Sequence, residues 1–235
     1  MNSRTALAEL PQIERRTLSE TTYDALSDLL ASGRLAPGDR LSLRQTAAAL
    51  GVSVMPVREA VSRLVADGAL EVAPNRAVRV PIMSAAGFRA LAETRMAIEG
   101  MAASRAAAQR SQGQLAAIRR AEAAFRLLAE SERPDGARAV ALNRDIHFAV
   151  YAACGLDPLR EIIARLWLKA GPIINLDLRA HPARLERGSA VRRHAEVLAA
   201  IEARNGPAAA AAIAADIDDA AQFILSRGGL RDEPS

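Results

Sequence analysis

Residues Leu43–Val72, LRQTAAALGVSVMPVREAVSRLVADGALEV, read as two short helices around a tight turn, followed by a strand. The first apolar run ends at Leu50, and Gly51 supplies the backbone freedom that a sharp turn needs. Ser53 is placed to cap the next helix, and Pro56 falls in its first turn, where a missing N–H does no harm. Val57, Val61, Leu64 and Val65 recur at helical spacing and are expected to pack inward. Ser53, Val54, Met55, Arg58 and Arg63 then fall on the outer face or the leading end, with Pro56 in the leading turn; such a helix end suits the major groove of DNA.

The flanks complete the pattern. Asp67-Gly68 closes the second helix, Ala69–Val72 is apolar enough for a strand, and Pro74-Asn75 signals a turn. Val78 and Val80 flank Arg79 in a return strand, which predicts a small hairpin wing with Asn75 and Arg76 at its tip, within reach of phosphate or the minor groove. Upstream, Tyr23, Leu26, Leu29 and Leu30 give Leu18–Ser32 an apolar helical face, with Thr17 and Ser19 as possible caps. GRLAPGDRLSL, from Gly33, holds a Pro-Gly turn and then Ser42, a cap for the helix that follows.

GRLAPGDRLSLRQTAAALGVSVMPVREAVSRLVADGALEVAPNRAVRVP resembles the amino-terminal domain of GntR-family transcription regulators. The resemblance implies a winged helix-turn-helix that binds operator DNA as a dimer, with Arg44 and Arg58 contacting DNA. Val54 stands where the family commonly has arginine, which exchanges a polar contact for an apolar side chain suited to a thymine methyl. Ala77 stands where a wing glycine is frequent, and is expected to restrict the backbone there.

The chain has 235 residues, half of them hydrophobic, which suits two modest domains with a sizeable core, divided here as 1–82 and 83–235. A net charge of +4 favours a polyanionic partner. One cysteine, Cys154, permits no internal disulfide and no zinc-ribbon spacing. MNSRTALAEL lacks a signal-peptide core, and no apolar run is long enough for a bilayer, so the expected location is the cytoplasm, with no membrane partner.

From about Ser84 the character changes. Alanine becomes abundant, and apolar residues return at helical intervals between breaks at Gly113, Pro134-Asp135-Gly136, Gly155 to Pro158, Pro182 and Gly206-Pro207. The pattern predicts about six helices, near 84–110, 112–130, 136–154, 158–178, 184–204 and 207–227, packed as an antiparallel all-α bundle. The fold class is therefore mainly α: a winged helix-turn-helix with a small β wing, then a helical bundle. Ile213, Ile217 and Phe223 give the alanine tract 208–215 an apolar stripe, so a packed terminal helix is expected there rather than low complexity.

Asn143 and His147 share one face of the third bundle helix, while His194 lies in the fifth and Asp216 in the last. Imidazole with carboxylate suits a divalent first-row metal, although lone helical histidines are more often structural; His181, beside Pro182, illustrates that case. ETRMAIEGMAASRAA, LNRDIHFAVYAACGLDPL and SAVRRHAEVLAAIEARNGPAAAAAIAADI are similar to the FCD ligand-binding domain of the FadR branch of the same family. The resemblance implies a metal site at Asn143, His147, His194 and Asp216. Metal-binding members commonly carry an aspartate and then three histidines at these positions, so one carboxylate is lost at Asn143 and one gained at Asp216. Such a set suits Zn²⁺, Ni²⁺ or Mn²⁺.

A metal with open positions inside a bundle can take a small carboxylate effector. Arg95 and Glu99 form the family's R-x-x-x-E pattern; Arg95 either steers that acid or simply pairs with Glu99. The resulting expectation is a homodimeric repressor on palindromic operator DNA whose binding changes with the effector. Two alternatives are a metal-free regulator that holds its ligand by hydrogen bonds and a metal-dependent enzyme. Against the enzyme stand the lack of an HExxH motif and of any nucleophile with a base partner.

Overall fold

Thr17 starts the first helix, α1 (Leu18–Ala31), by a reciprocal cap in which its hydroxyl accepts from the Glu20 N–H and its own N–H donates to the Glu20 carboxylate. The computed structural model describes residues 16–180, 189–227 and 230. A short strand, β1 (Arg40–Leu41), precedes α2 (Leu43–Leu50), which Ser42 caps and which Gly51 ends at φ 65°. Helix α3 (Val54–Ala66) follows, then β2 (Glu71–Val72) and β3 (Val78–Arg79).

Three features of this head depart from the expected picture. Ser53 does occupy the cap position of α3, but its side chain makes no capping bond. The physical reason lies in Pro56, three residues on, which has no N–H to offer the hydroxyl. The sheet has three strands rather than two: β3 lies between β1 and β2 and is antiparallel to both, with Arg79 opposite Arg40 on one side and Glu71 on the other. At the wing tip the left-handed residue is Arg76, at φ 62°, while Ala77 keeps an ordinary backbone and donates its N–H to the Asn75 side chain. The restriction expected at Ala77 therefore falls one residue earlier.

The bundle comprises α4 (Ala85–Gln109), α5 (Gln112–Ala129), α6 (Gly136–Ala152), α7 (Asp157–Ala180), α8 (Ala190–Glu202) and α9 (Gly206–Ser226). These match the predicted helices to within a few residues, except that the start expected at Arg184 lies outside the described residues. Ser84, Ser111, Asp135 and Asn205 cap α4, α5, α6 and α9 through side-chain oxygens, as the residue types at those breaks suggest. Helix α4 runs through the middle and lies against α9. A Cβ at Gly206 would come within 2.7 Å of the Ser104 hydroxyl, and one at Gly100 within 3.5 Å of the Ala210 carbonyl, which explains why alanine dominates α9: small side chains permit this close approach.

Among the described residues the apolar core falls into three clusters. The largest fills the bundle around Phe88, Ile118, Tyr151, Ile163, Trp167 and Ile201, and a smaller one joins α5 to α6 around Phe125, Val140 and Ile146. The head closes over Leu26, Leu30, Val57, Val61, Leu64 and Val80, and one bundle residue, Leu168 of α7, is part of it.

Candidate functional site

Two places on the molecule carry chemistry, the leading end of α3 and a polar cluster buried in the bundle. In the head, Ser53, Met55 and Arg58 are exposed at the start of α3, with Met55 58% exposed, and Arg44 is exposed on α2. Pro56 is buried beneath them, and Val54 packs partly against the head core, so neither presents its full side chain outward. Asn75 and Arg76 are exposed at the wing tip. Arg63 is separated from this group: it lies two turns further along α3, and its guanidinium sits 4.2 Å over the Tyr23 ring, lining a cleft between head and bundle. Arg40 is also exposed, on a strand that the sequence reading did not anticipate.

In the bundle, α6, α8 and α9 bring His147, His194 and Asp216 together so that one ligand atom from each lies within 4.8 Å of the others. His147 and His194 are 2% and 1% exposed. His147 Nε2 is 3.2 Å from one Asp216 oxygen, and His194 Nε2 is 3.8 Å from the other. Both ring nitrogens of His194 lack a hydrogen-bond partner, and Phe125 packs edge-on against the ring at 4.7 Å. Burial pushes the His194 pKa down to about 4, overcoming the Asp216 charge that raises it, while His147 lowers it further. His194 is thus neutral at pH 7, with a lone pair free.

Hydrogen bonds behind the cluster orient His147. Its Nδ1 lies 2.9 Å from the Tyr151 hydroxyl, one helical turn on, and that hydroxyl donates to Glu99. Glu99 also accepts from Arg95 Nε at 2.6 Å and Nη2 at 3.3 Å, and from Trp167 Nε1 at 3.1 Å. Burial, and then the Glu99 charge, raise the Tyr151 pKa well above its ordinary value, so the phenol keeps its proton. Since that proton goes to Glu99, the phenol oxygen can only accept from His147, which puts a hydrogen on Nδ1. With Nδ1 as the donor, His147 turns its Nε2 toward the Asp216 carboxylate 3.2 Å away. Two acceptors at that distance repel unless a proton or a cation lies between them.

The donor set fits a divalent metal. Ligand bonds of about 2.1 Å in tetrahedral geometry place ligand atoms roughly 3.4 Å apart, between the 3.2 and 3.8 Å contacts that Asp216 makes with the two histidines. Two imidazoles and one carboxylate are borderline ligands, and the Glu99–Tyr151–His147 chain is the usual way of fixing a metal-binding tautomer. Asn143 is half-buried one turn before His147 on α6. His181 lies outside the described residues. Arg95 is buried and held against Glu99, with Trp167 stacked 4.9 Å from its guanidinium. Arg165 faces away from this cluster and pairs with Asp67 of the head at 3.4 Å. Tyr151 is the participant that sequence reasoning missed; its spacing of four from His147, which puts both on one helix face, was the available signal.

Residues 18–80 match the bacterial regulatory proteins of the gntR family, and residues 90–219 match the FCD domain. The chain belongs to the GntR family. HTH-type transcriptional regulator McbR of Escherichia coli (strain K12) is 33% identical over 185 residues, covering 77% of this chain and 80% of McbR. The solved structure of E. coli McbR/YncC superposes with a TM-score of 0.82 at 26% identity, over 92% of this chain and all of that one. The HTH-type regulator BphR of Paraburkholderia xenovorans (strain LB400) is 30% identical over 164 residues, 68% of this chain and 67% of BphR. A structural-genomics GntR regulator from Rhodococcus sp. RHA1 shares the fold, with a TM-score of 0.70 at 24% identity over 91% of this chain and 99% of that one. This GntR/FCD chain is a DNA-binding transcription regulator rather than an enzyme. Among the described residues no helix is long and apolar enough to cross a membrane.

Proposed function

We propose that this regulator is a homodimeric cytoplasmic repressor in which residues 1–82 read a palindromic operator and residues 83–235 hold a divalent metal, Zn²⁺, Ni²⁺ or Mn²⁺, and a small carboxylate effector. The observation that carries the metal reading is the buried trio of His194 with two unpartnered nitrogens, His147 with Nε2 3.2 Å from a carboxylate oxygen, and Asp216 between them. In this reading His147, His194 and Asp216 hold the metal and Asn143 adds an amide oxygen. A metal held there would supply Lewis acidity toward a carboxylate oxygen of the effector. In this reading Arg95 would meet the acid effector from its seat against Glu99, whose carboxylate balances its charge. Arg44, Ser53, Met55 and Arg58 form the reading surface, with Asn75 and Arg76 on the flanking backbone; Val54, Pro56 and Arg63 support the position of α3.

Effector binding modulates repression if it favours one spacing of the two reading heads over another. A second reading is metal-free: a protonated His147 would also account for the 3.2 Å contact with Asp216. Elemental analysis of the purified protein separates the two, the metal reading requiring close to one equivalent per chain in wild type and far less in His194→Ala. Genomic fragments selected by the protein should share a palindrome; random recovery would defeat the operator reading.

A further inference from the structure

Trp167 and Leu168 are neighbours on α7, yet they belong to different bodies. Trp167 lies in the bundle core, its indole N–H donates to Glu99, and its ring centroid is 5.1 Å from that of His147. Leu168 is part of the head core with Leu26, Leu30 and Leu64. The next turn of α7 is seated as tightly. A Cβ at Gly171 would come within 2.8 Å of Ala31 Cα and 3.0 Å of the Leu30 carbonyl, and the Asn175 amide donates to the Ala31 carbonyl. Beside this seam the bodies part, leaving a cleft of about 680 Å³ whose lining includes Tyr23, Arg63, Phe148 and Trp167. Ion pairs Arg144–Asp28 at 2.8 Å and Arg165–Asp67 at 3.4 Å cross between head and bundle.

Helix α7 also has a built-in weak point. Pro172 lies inside it, and a proline there cannot donate to the carbonyl four residues back, which is that of Leu168. The turn that grips the head is therefore the one turn of α7 lacking a helical hydrogen bond by sequence.

We propose that α7 transmits the state of the His–His–Asp cluster to the DNA-reading head, with Glu99 and Trp167 as its input and the Leu168–Gly171 seat as its output. This rests on the metal reading above. A cation held at His147 Nε2 would strengthen donation from Nδ1 to Tyr151, and so from Tyr151 to Glu99. Glu99 Oε2 is the atom that Trp167 also uses, so its share of the carboxylate changes with it. A movement of Trp167 has nowhere to dissipate: Gly171 leaves no slack against Ala31, and the head follows.

The test measures affinity for a selected operator fragment with Zn²⁺, Ni²⁺ or Mn²⁺ present and with chelator, and metal affinity with and without that fragment. Linkage requires the two ratios to be equal, and coupling of this kind is typically about 5- to 150-fold. Gly171→Ala touches neither the metal cluster nor the reading surface. It is expected to bind metal as wild type does while its ratio falls toward one, and Trp167→Phe, which removes the N–H together with part of the ring, lowers the ratio too. Arg160→Ala on the outer side of α7 leaves it unchanged. Wild-type ratios retained by both α7 variants overturn the proposal, as does metal binding in wild type with no effect on DNA affinity. Should either variant unfold, hydrogen exchange on the wild type decides: metal must alter protection at Leu30–Gly33 and Leu168–Asn175, and unchanged protection there refutes the route. If none of the three metals binds, the metal reading itself has failed.

Discussion

Replacing Arg95 by methionine separates a structural ion pair from an effector contact. Arg95 and Glu99 are 4% and 0% exposed, and the guanidinium makes two hydrogen bonds to the carboxylate, at 2.6 and 3.3 Å. On an exposed helix surface an i,i+4 pair contributes only about 0.3–0.5 kcal/mol. Inside the bundle, removal of one partner leaves a charge desolvated without compensation, and breaking a buried pair in this way costs about 3–5 kcal/mol. With a urea slope of about 3 kcal/mol per molar, the upper part of the range for small proteins, that corresponds to a midpoint lowered by roughly 1–2 M. Adding Glu99→Gln removes the stranded charge but keeps an acceptor for Tyr151 and Trp167, so the double variant should recover at least half of the loss. Arg192→Met, which breaks the exposed pair with Glu196, serves as the control and should shift the midpoint very little. Urea unfolding followed by circular dichroism measures all four proteins. A midpoint for Arg95→Met within the control's shift, with no recovery in the double variant, would refute the reasoning and return Arg95 to a role of ligand contact alone.

Tyr151→Phe removes the hydroxyl that fixes the His147 tautomer; metal affinity should fall by about 10- to 100-fold, as for other outer-shell partners, and an unchanged titration would show that Tyr151 does not position the ring. In chelated protein His194 has a folded pKa of about 4 against an ordinary 6.5, so the native state binds fewer protons than the unfolded chain. The associated stability is fully present above pH 6.5 and is lost as pH falls toward 4, by roughly 3 kcal/mol in all; His194→Gln should flatten that slope, and an identical acid profile would contradict the assignment. Arg58→Ala should weaken operator binding by about 1–3 kcal/mol without changing thermal stability, and altered stability with unchanged binding would remove Arg58 from the reading surface.

The elements of this protein were largely legible because local rules govern them. Turn and cap residues such as Gly51, Ser84, Ser111, Asp135 and Asn205 mark boundaries through the backbone hydrogen bonds they make or permit, and those bonds span only a few residues. The misreadings had equally local causes. Pro56 denied Ser53 its partner, and β1 is too short, at two residues, for alternation to register. The pairing of β1 with β3 is a long-range contact that no window of sequence contains.

Residue identity and helical spacing by themselves determined the order of a reading head and an α-helical bundle, and singled out His147, His194 and Asp216 through a resemblance to the FCD domain. Tertiary packing alone decided what those residues face. It placed the Asp216 carboxylate opposite the His147 Nε2, drew Tyr151, Glu99 and Trp167 into one network, and turned Arg63 and Arg165 toward the cleft and the head. It also set Leu168 in the core of one body and Trp167 in the core of the other. The reason is geometric: successive helical residues point about 100° apart, so a single turn of α7 can touch two bodies, but which bodies lie there depends on how the whole chain packs.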